Sequence, residues 1–241
     1  MKRIQKTSRG MAALAAVILC CFCTKAAQGQ TVRPVIVNYT GKASGSFELV
    51  NDSPAPLNVV LSPRSFDVDE NGHPSYRPLD PAIHLKLSAM SFRIPPQQSY
   101  TVFYTATTDT VPAWFMIYAN FTGFPKREQT SMAVQLEIPH VVYVSAKKPN
   151  FSKADVRVER ARYVRSKKLV LITVSNTGSN LGRLEETHLV GNRKRAELGG
   201  GPLFPQKKRT FDFQWDGDTP PEKAVLKFDR FDIETALTTE E

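Results

Sequence analysis

Four histidines, His73, His84, His140 and His188, are the first residues to weigh for chemistry, and their scatter along the 241-residue chain gives no metal-ligand spacing. Asp67-x-Asp69-x-Asn71-Gly72 matches the opening of a calcium loop, but its twelfth position is Pro78, where a bidentate glutamate is required. The stretch therefore reads as a glycine-containing turn between strands. Gly199-Gly200-Gly201 lacks the strand-to-helix context and the Lys-Ser pair of a phosphate cradle, and reads as a hairpin loop. There is no Gly-x-Ser-x-Gly elbow to carry a nucleophile. These residues predict no catalytic set, no metal, no cofactor and no enzyme. The most informative stretch is M-A-V-Q-L-E-I-P-H-V-V-Y-V-S, Met132 to Ser145, in which Met132, Val134, Leu136 and Ile138 alternate with Ala133, Gln135 and Glu137. Period-two alternation marks a strand with one buried face. On pattern alone that face fills either the protein's own core or a partner's.

The start of the chain predicts export. Lys2, Arg3, Lys6 and Arg9 precede an apolar run from Met11 to Cys23, and Ala27-Gln28-Gly29 follows as a small-x-small cleavage signal, which together read as a signal peptide over 1–29. All three cysteines, Cys20, Cys21 and Cys23, lie in that leader, so the remainder is expected to be stabilised by ordinary cores without a disulfide. The formal charge of +9 shrinks in the same way, because the leader holds five basic residues and no acids. From Gln30 to Ala146 there are 8 basic and 9 acidic residues, and from Lys147 to Glu241 there are 19 and 14. The excess sits in clusters at Arg160/Arg162/Arg165/Lys167/Lys168, Arg193-Lys194-Arg195 and Lys207-Lys208-Arg209. Export excludes nucleic acid as the partner, and the clusters read as charged strand edges and turns that resist edge pairing, or as a patch for an acidic partner.

To position anything, the chain offers short strands separated by turns and hardly any helix. Val35 to Val37, Ser46 to Val50, Leu57 to Leu61, Ser91 to Ile94, Tyr100 to Ala106, Trp114 to Phe121 and Ser131 to Val144 make the first set. After Lys147-Lys148-Pro149-Asn150, which reads as a linker, Val156 to Val158, Lys168 to Val174, Gly182 to Leu189, Thr210 to Trp215 and Lys223 to Phe228 make a second. This predicts an all-β protein of two immunoglobulin-like β-sandwich domains in tandem, at 30–146 and 150–241. Trp114, Phe115, Ile117 and Phe121 are expected in the first core, and Trp215, Phe211, Phe213 and Phe228 in the second. The tail from Thr238 to Glu241 is expected to fray.

The order Phe47-Glu48-Leu49-Val50-Asn51-Asp52-Ser53, Leu61-Ser62-Pro63-Arg64-Ser65-Phe66, Phe92-Arg93-Ile94-Pro95-Pro96 and Trp114 to Asn120 through Phe124-Pro125 resembles the periplasmic pilus-assembly chaperones, the PapD-like family of the chaperone-usher pathway. Leu171 to Gly178 and Pro202-Leu203-Phe204-Pro205-Gln206 resemble the matching parts of that family's second domain. The resemblance implies a periplasmic chaperone that stabilises fimbrial or pilus subunits by donor-strand complementation and delivers them to an outer-membrane usher, with Met132, Val134, Leu136 and Ile138 as the lent residues. It also implies an arginine and a lysine holding the subunit's carboxylate between the domains. Those positions fall near Val35 and His140, so Arg33 and His140 are expected to stand in. An exported adhesion or structural module, binding a partner or polysaccharide through its basic second domain, is the alternative.

Overall fold

The computed structural model describes residues 29–123, 135–147, 150–192 and 194–241. The signal-peptide expectation, and Met132 and Val134 with it, lie outside the described residues. The first set of strands is β1 (Thr31–Arg33), β2 (Ile36–Thr40), β3 (Ala43–Asn51), β4 (Leu57–Val68), β5 (Pro74–Pro78), β6 (Ile83–Leu87), β7 (Ser91–Ile94), β8 (Gln98–Thr108), β9 (Ala113–Thr122) and β10 (Leu136–Ser145). They form two sheets, one in the order β1-β3-β8-β6 and one in the order β2-β10-β9-β4-β5 with β7 also on β4. Their inner faces enclose one core, in which Phe47, Leu49, Leu57, Phe115, Ile117 and Phe121 are fully shielded.

The second set is β11 (Val156–Val164), β12 (Leu169–Asn176), β13 (Gly182–Val190), β14 (Arg195–Leu203), β15 (Lys207–Gln214), β16 (Lys223–Lys227), β17 (Asp232–Ala236) and β18 (Thr238–Glu240). Its sheets run β15-β12-β11-β18 and β14-β13-β16-β17, closing over Ile172, Leu184, Leu189, Phe211, Phe213 and Trp215. The fold class read from the sequence is the one found, two all-β sandwiches in tandem.

Three local expectations change, and one holds with new partners. The glycines at 199–201 are inside strand β14, not in a loop. A Cβ on Gly200 would stand 2.0 Å from the Leu184 carbonyl oxygen, so the glycine serves close approach of two strands. Thr238–Glu240 is a strand and is not frayed. Trp114 leaves the first core and lies half-buried between the two sandwiches, its Nε1–H donating to the Phe66 carbonyl at 2.8 Å. The Asp67 to Gly72 stretch does form the β4–β5 turn, but Asp67 is taken by Lys207, and Asp69 accepts the Asn71 and His73 amides.

The two sandwiches share one internal latch. Asn51 is fully buried at the end of β3, donating to the carbonyls of Ala55 (2.8 Å) and Ile94 (3.1 Å) while its Oδ1 accepts the Ser53 amide. Asn176, at the end of β12, donates to Asn180 (2.8 Å) and Leu203 (2.9 Å) and accepts the Gly178 amide. A glutamine follows each Pro-containing turn. Gln97 caps the carbonyls of Asp52 and Ser53, and Gln206 those of Thr177 and Gly178. Both glutamines adopt φ 57°. The same side chains solve the same problem twice, the supply of donors to carbonyls stranded at a strand end.

Removing a latch leaves buried carbonyls unpaired, so Asn51→Ala and Asn176→Ala are each expected to destabilise the protein by about 1–3 kcal/mol. Urea unfolding followed by tryptophan fluorescence reads this, and an unmoved midpoint for either variant would refute the assignment.

Candidate strand-donor edge and inter-domain cleft

Strand β10 pairs antiparallel with β9 over nearly its whole length, with Leu136 opposite Phe121 and Ile138 opposite Ala119. On its other side β2 runs parallel to it only from Val141 to Ser145. The segment Leu136–His140 therefore has no strand on that side among the described residues. Alternation fixes which atoms face out. The Val141 amide donates to the Val35 carbonyl on the β2 side, so two and four residues earlier Pro139 and Glu137 point the same way. The open edge thus presents the Glu137 N–H and C=O and the Pro139 C=O. Pro139 has no N–H, and its ring sits where a proline is tolerated, on an edge with its nitrogen away from the ladder.

Leu136 and Ile138 point inward and pack half-buried against the rim of the first core. Glu137 points outward, 3.8 Å from Arg64, which in turn lies over the Tyr118 ring at 4.9 Å. Burial raises the Tyr118 phenol well above its ordinary pKa, with its contact to Tyr76 adding to the effect.

His140 corrects an expectation. It has no exposed surface, and its ring stacks on Phe47 with centroids 4.6 Å apart. Nδ1 lies 2.7 Å from the Pro34 carbonyl, which can only accept, so Nδ1 carries the proton and Nε2 accepts from the Tyr104 hydroxyl at 3.1 Å. The Tyr104 oxygen then accepts from Tyr39 at 3.0 Å. A Cβ at position 45 would lie 2.0 Å from the Tyr39 hydroxyl, which makes Gly45 part of this relay. With both ring nitrogens engaged inside the first sandwich, His140 offers nothing to a carboxylate between the domains. Arg33 is exposed on β1 opposite Glu48 and, like His140, does not line the cleft.

The cleft is built from other residues. A cavity of about 270 Å³ opens between Asn38, Tyr143 and Ser145 of the first sandwich and Arg183, Arg230 and Phe231 of the second. Arg183 pairs with Glu185 at 3.5 Å and Arg230 with Asp229 at 3.4 Å. Below the cavity, Phe204 packs against Phe66, Trp114 and Tyr143, with centroids 6.0, 4.7 and 6.5 Å away. Lys207 reaches across to Asp67, and the Thr210 amide donates to the Glu70 carbonyl. Burial raises the Tyr143 phenol and lowers the Arg209 guanidinium from their ordinary values, both effects of desolvation at this junction. Among the described residues no group of three or more His, Cys, Asp and Glu could hold a metal, and no helix is long and apolar enough to cross a membrane.

No family model and no curated sequence matches the chain. Solved structures do. The E. coli chaperone DraB is 13% identical with a TM-score of 0.53, the match covering 87% of this chain and 98% of DraB. The SafB chaperone, solved with the Salmonella enterica SafA pilin, is 11% identical with a TM-score of 0.55 over 87% and 97% of the two chains. The class 5 fimbriae chaperone CfaA is 10% identical with a TM-score of 0.52 over 87% and 99%. The fold is that of the fimbrial chaperones. At these identities the likeness to DraB, SafB and CfaA is one of architecture.

Sequence reasoning missed the cleft arginines, because Arg183 and Arg230 stand in no shared motif and come together only when β13 and the turn after β16 face β10. His140 carried a usable signal, since it continues the inward face of Leu136, Ile138, Val142 and Val144.

Burial lowers the His140 pKa below its ordinary 6.5, and the bond to Pro34 offsets this only in part. The unfolded chain therefore takes up a proton that the folded one resists. Stability is complete above about pH 6.5 and falls as pH drops below it, with a limiting slope of about 1.4 kcal/mol per pH unit. Urea midpoints from pH 8 to 5 are expected to fall for the wild type and to flatten in His140→Gln. Parallel curves would refute the role given to His140.

Proposed function

We propose that this protein is a periplasmic chaperone that lends the open edge of β10 to pilin-like surface-fibre subunits and delivers them to an outer-membrane usher. The observation that carries the reading is that, among the described residues, no strand pairs with one side of Leu136–His140, beside half-buried apolar side chains at the rim of a sandwich. A subunit segment laid along that edge gains backbone hydrogen bonds, and Leu136 and Ile138 fill its pockets as in β-augmentation. Met132 and Val134 continue the alternation in sequence, and each of the four contributes about 1.5–3 kcal/mol on full burial. SafB is a chaperone solved with a pilin, which supports the same use of the fold here.

In this reading residues 1–29 are a cleaved signal peptide, 30–146 the strand-lending domain and 150–241 the second domain. The cycle exchanges one strand for another, so it breaks no covalent bond and needs no cofactor. The carboxylate-holding role passes from Arg33 and His140 to Arg183 and Arg230, whose present partners Glu185 and Asp229 are near neighbours in sequence and readily displaced by a bidentate carboxylate.

The test is affinity purification of the mature protein from its own host's envelope beside Leu136→Asp, with circular dichroism to establish that the variant is folded. A small β-rich secreted protein should accompany the wild type and be lost from the folded variant, a weakening of about tenfold to a hundredfold at this one position. If Leu136→Asp instead unfolds the first sandwich, or the same partner comes with both, the strand serves only its own domain and the proposal fails.

A further inference from the structure

The largest basic cluster, Arg160 to Lys168, has no part in the strand-lending edge or the cleft. In the fold it meets an acidic strand. β18 lies parallel to β11, with Thr238 opposite Arg162 and Glu240 opposite Val164. The Arg162 Nη1 contacts the Glu240 carboxylate at 2.5 Å, Arg165 reaches toward Glu241 at 3.9 Å, and the Thr238 hydroxyl donates to the Ala161 carbonyl at 3.2 Å. Thr238 and Thr239 are exposed, so backbone pairing and charge hold this strand, with little burial beyond Leu237, which anchors its entry in the second core.

The occupant satisfies its site incompletely. Arg162 Nε is shielded from solvent and has no acceptor among the described residues. A carboxylate placed squarely against an arginine takes two parallel bonds, from Nε and one Nη together. The Arg165 pair sits at the far limit of an ion pair between two largely exposed side chains, and such pairs add little. The other half of the β11 edge is guarded differently, by a register shift between Val158 and Arg160 and by exposed charges.

We infer that the β11 edge is a second strand-binding site, made for an extended acidic segment of a partner protein and occupied in cis by the chain's own Thr238–Glu241. The occupant displays what the site accepts: a strand parallel to β11 with a threonine opposite Arg162 and, two residues on, a carboxylate that reaches back to its guanidinium. The inference stands apart from the use of β10 and would survive the failure of that reading.

The test uses the full chain carrying Glu240→Lys and Glu241→Lys, which opens the edge, and the capped peptide Leu-Thr-Thr-Glu-Glu as probe, followed by NMR shift titration. The opened variant should bind the peptide about tenfold more tightly than the wild type. Adding Arg162→Gln to it should remove that gain, and about 0.5 M salt should weaken binding further. Hydrogen exchange over Arg162–Val164 should rise in the opened variant before peptide and fall on its addition. Equal binding by wild type and opened variant, equal binding of Leu-Thr-Thr-Gln-Gln, or no binding to a folded opened variant would each overturn the inference.

Discussion

Every strand edge leaves a row of backbone donors and acceptors that something must satisfy, and this protein is organised around where that requirement is met and where it is not. The parallel run of β2 beside β10 stops at Val141, and among the described residues no strand pairs with that side of the five residues before it. Most other edges are short, charged or covered. β5 is exposed throughout and flanked by prolines, and β11 is covered at its far end by β18. An opening retained in so well-guarded a structure lies next to the half-buried Leu136 and Ile138, where a further strand would gain both hydrogen bonds and apolar contact.

The two sandwiches are variations on one plan. The Asn51/Gln97 and Asn176/Gln206 latches occupy matching strand ends, and in each case the asparagine is the last residue of its strand, β3 or β12, where the turn to the next strand begins. Their junction is aromatic and buried at Phe204, then polar at Lys207 and Asp67. It holds the cleft arginines of one sandwich opposite the β2 and β10 residues of the other. The cleft is thus already formed by contacts between the two sandwiches, with Phe204 and the Lys207–Asp67 pair fixing its two sides.

The fold class was legible because period-two alternation and regularly spaced turns survive in single strands, as at Ser46 to Val50 and Leu171 to Val174. What escaped was long-range or contrary to local rules. The triple glycine looked like a loop because its reason, the Leu184 carbonyl, lies on another strand. Pro74–Pro78 has no buried face and so no alternation to read. Trp114 looked like core because pattern reports burial and not which body does the burying. Of the candidate site, the inward face of Leu136 and Ile138 could be read directly. The fate of His140 depended on Pro34 and Tyr104, 106 and 36 residues away.

Pro139 gives the open edge a property that its neighbours lack. A strand laid along it would find a donor at Glu137 and none two residues on, so in every alignment the carbonyl set opposite Pro139 stays unpaired, at a cost of about 1–3 kcal/mol once it is shielded from water. The proline thereby gives the edge a fixed gap, which favours a strand whose carbonyl at that point is capped by a side chain or left in water.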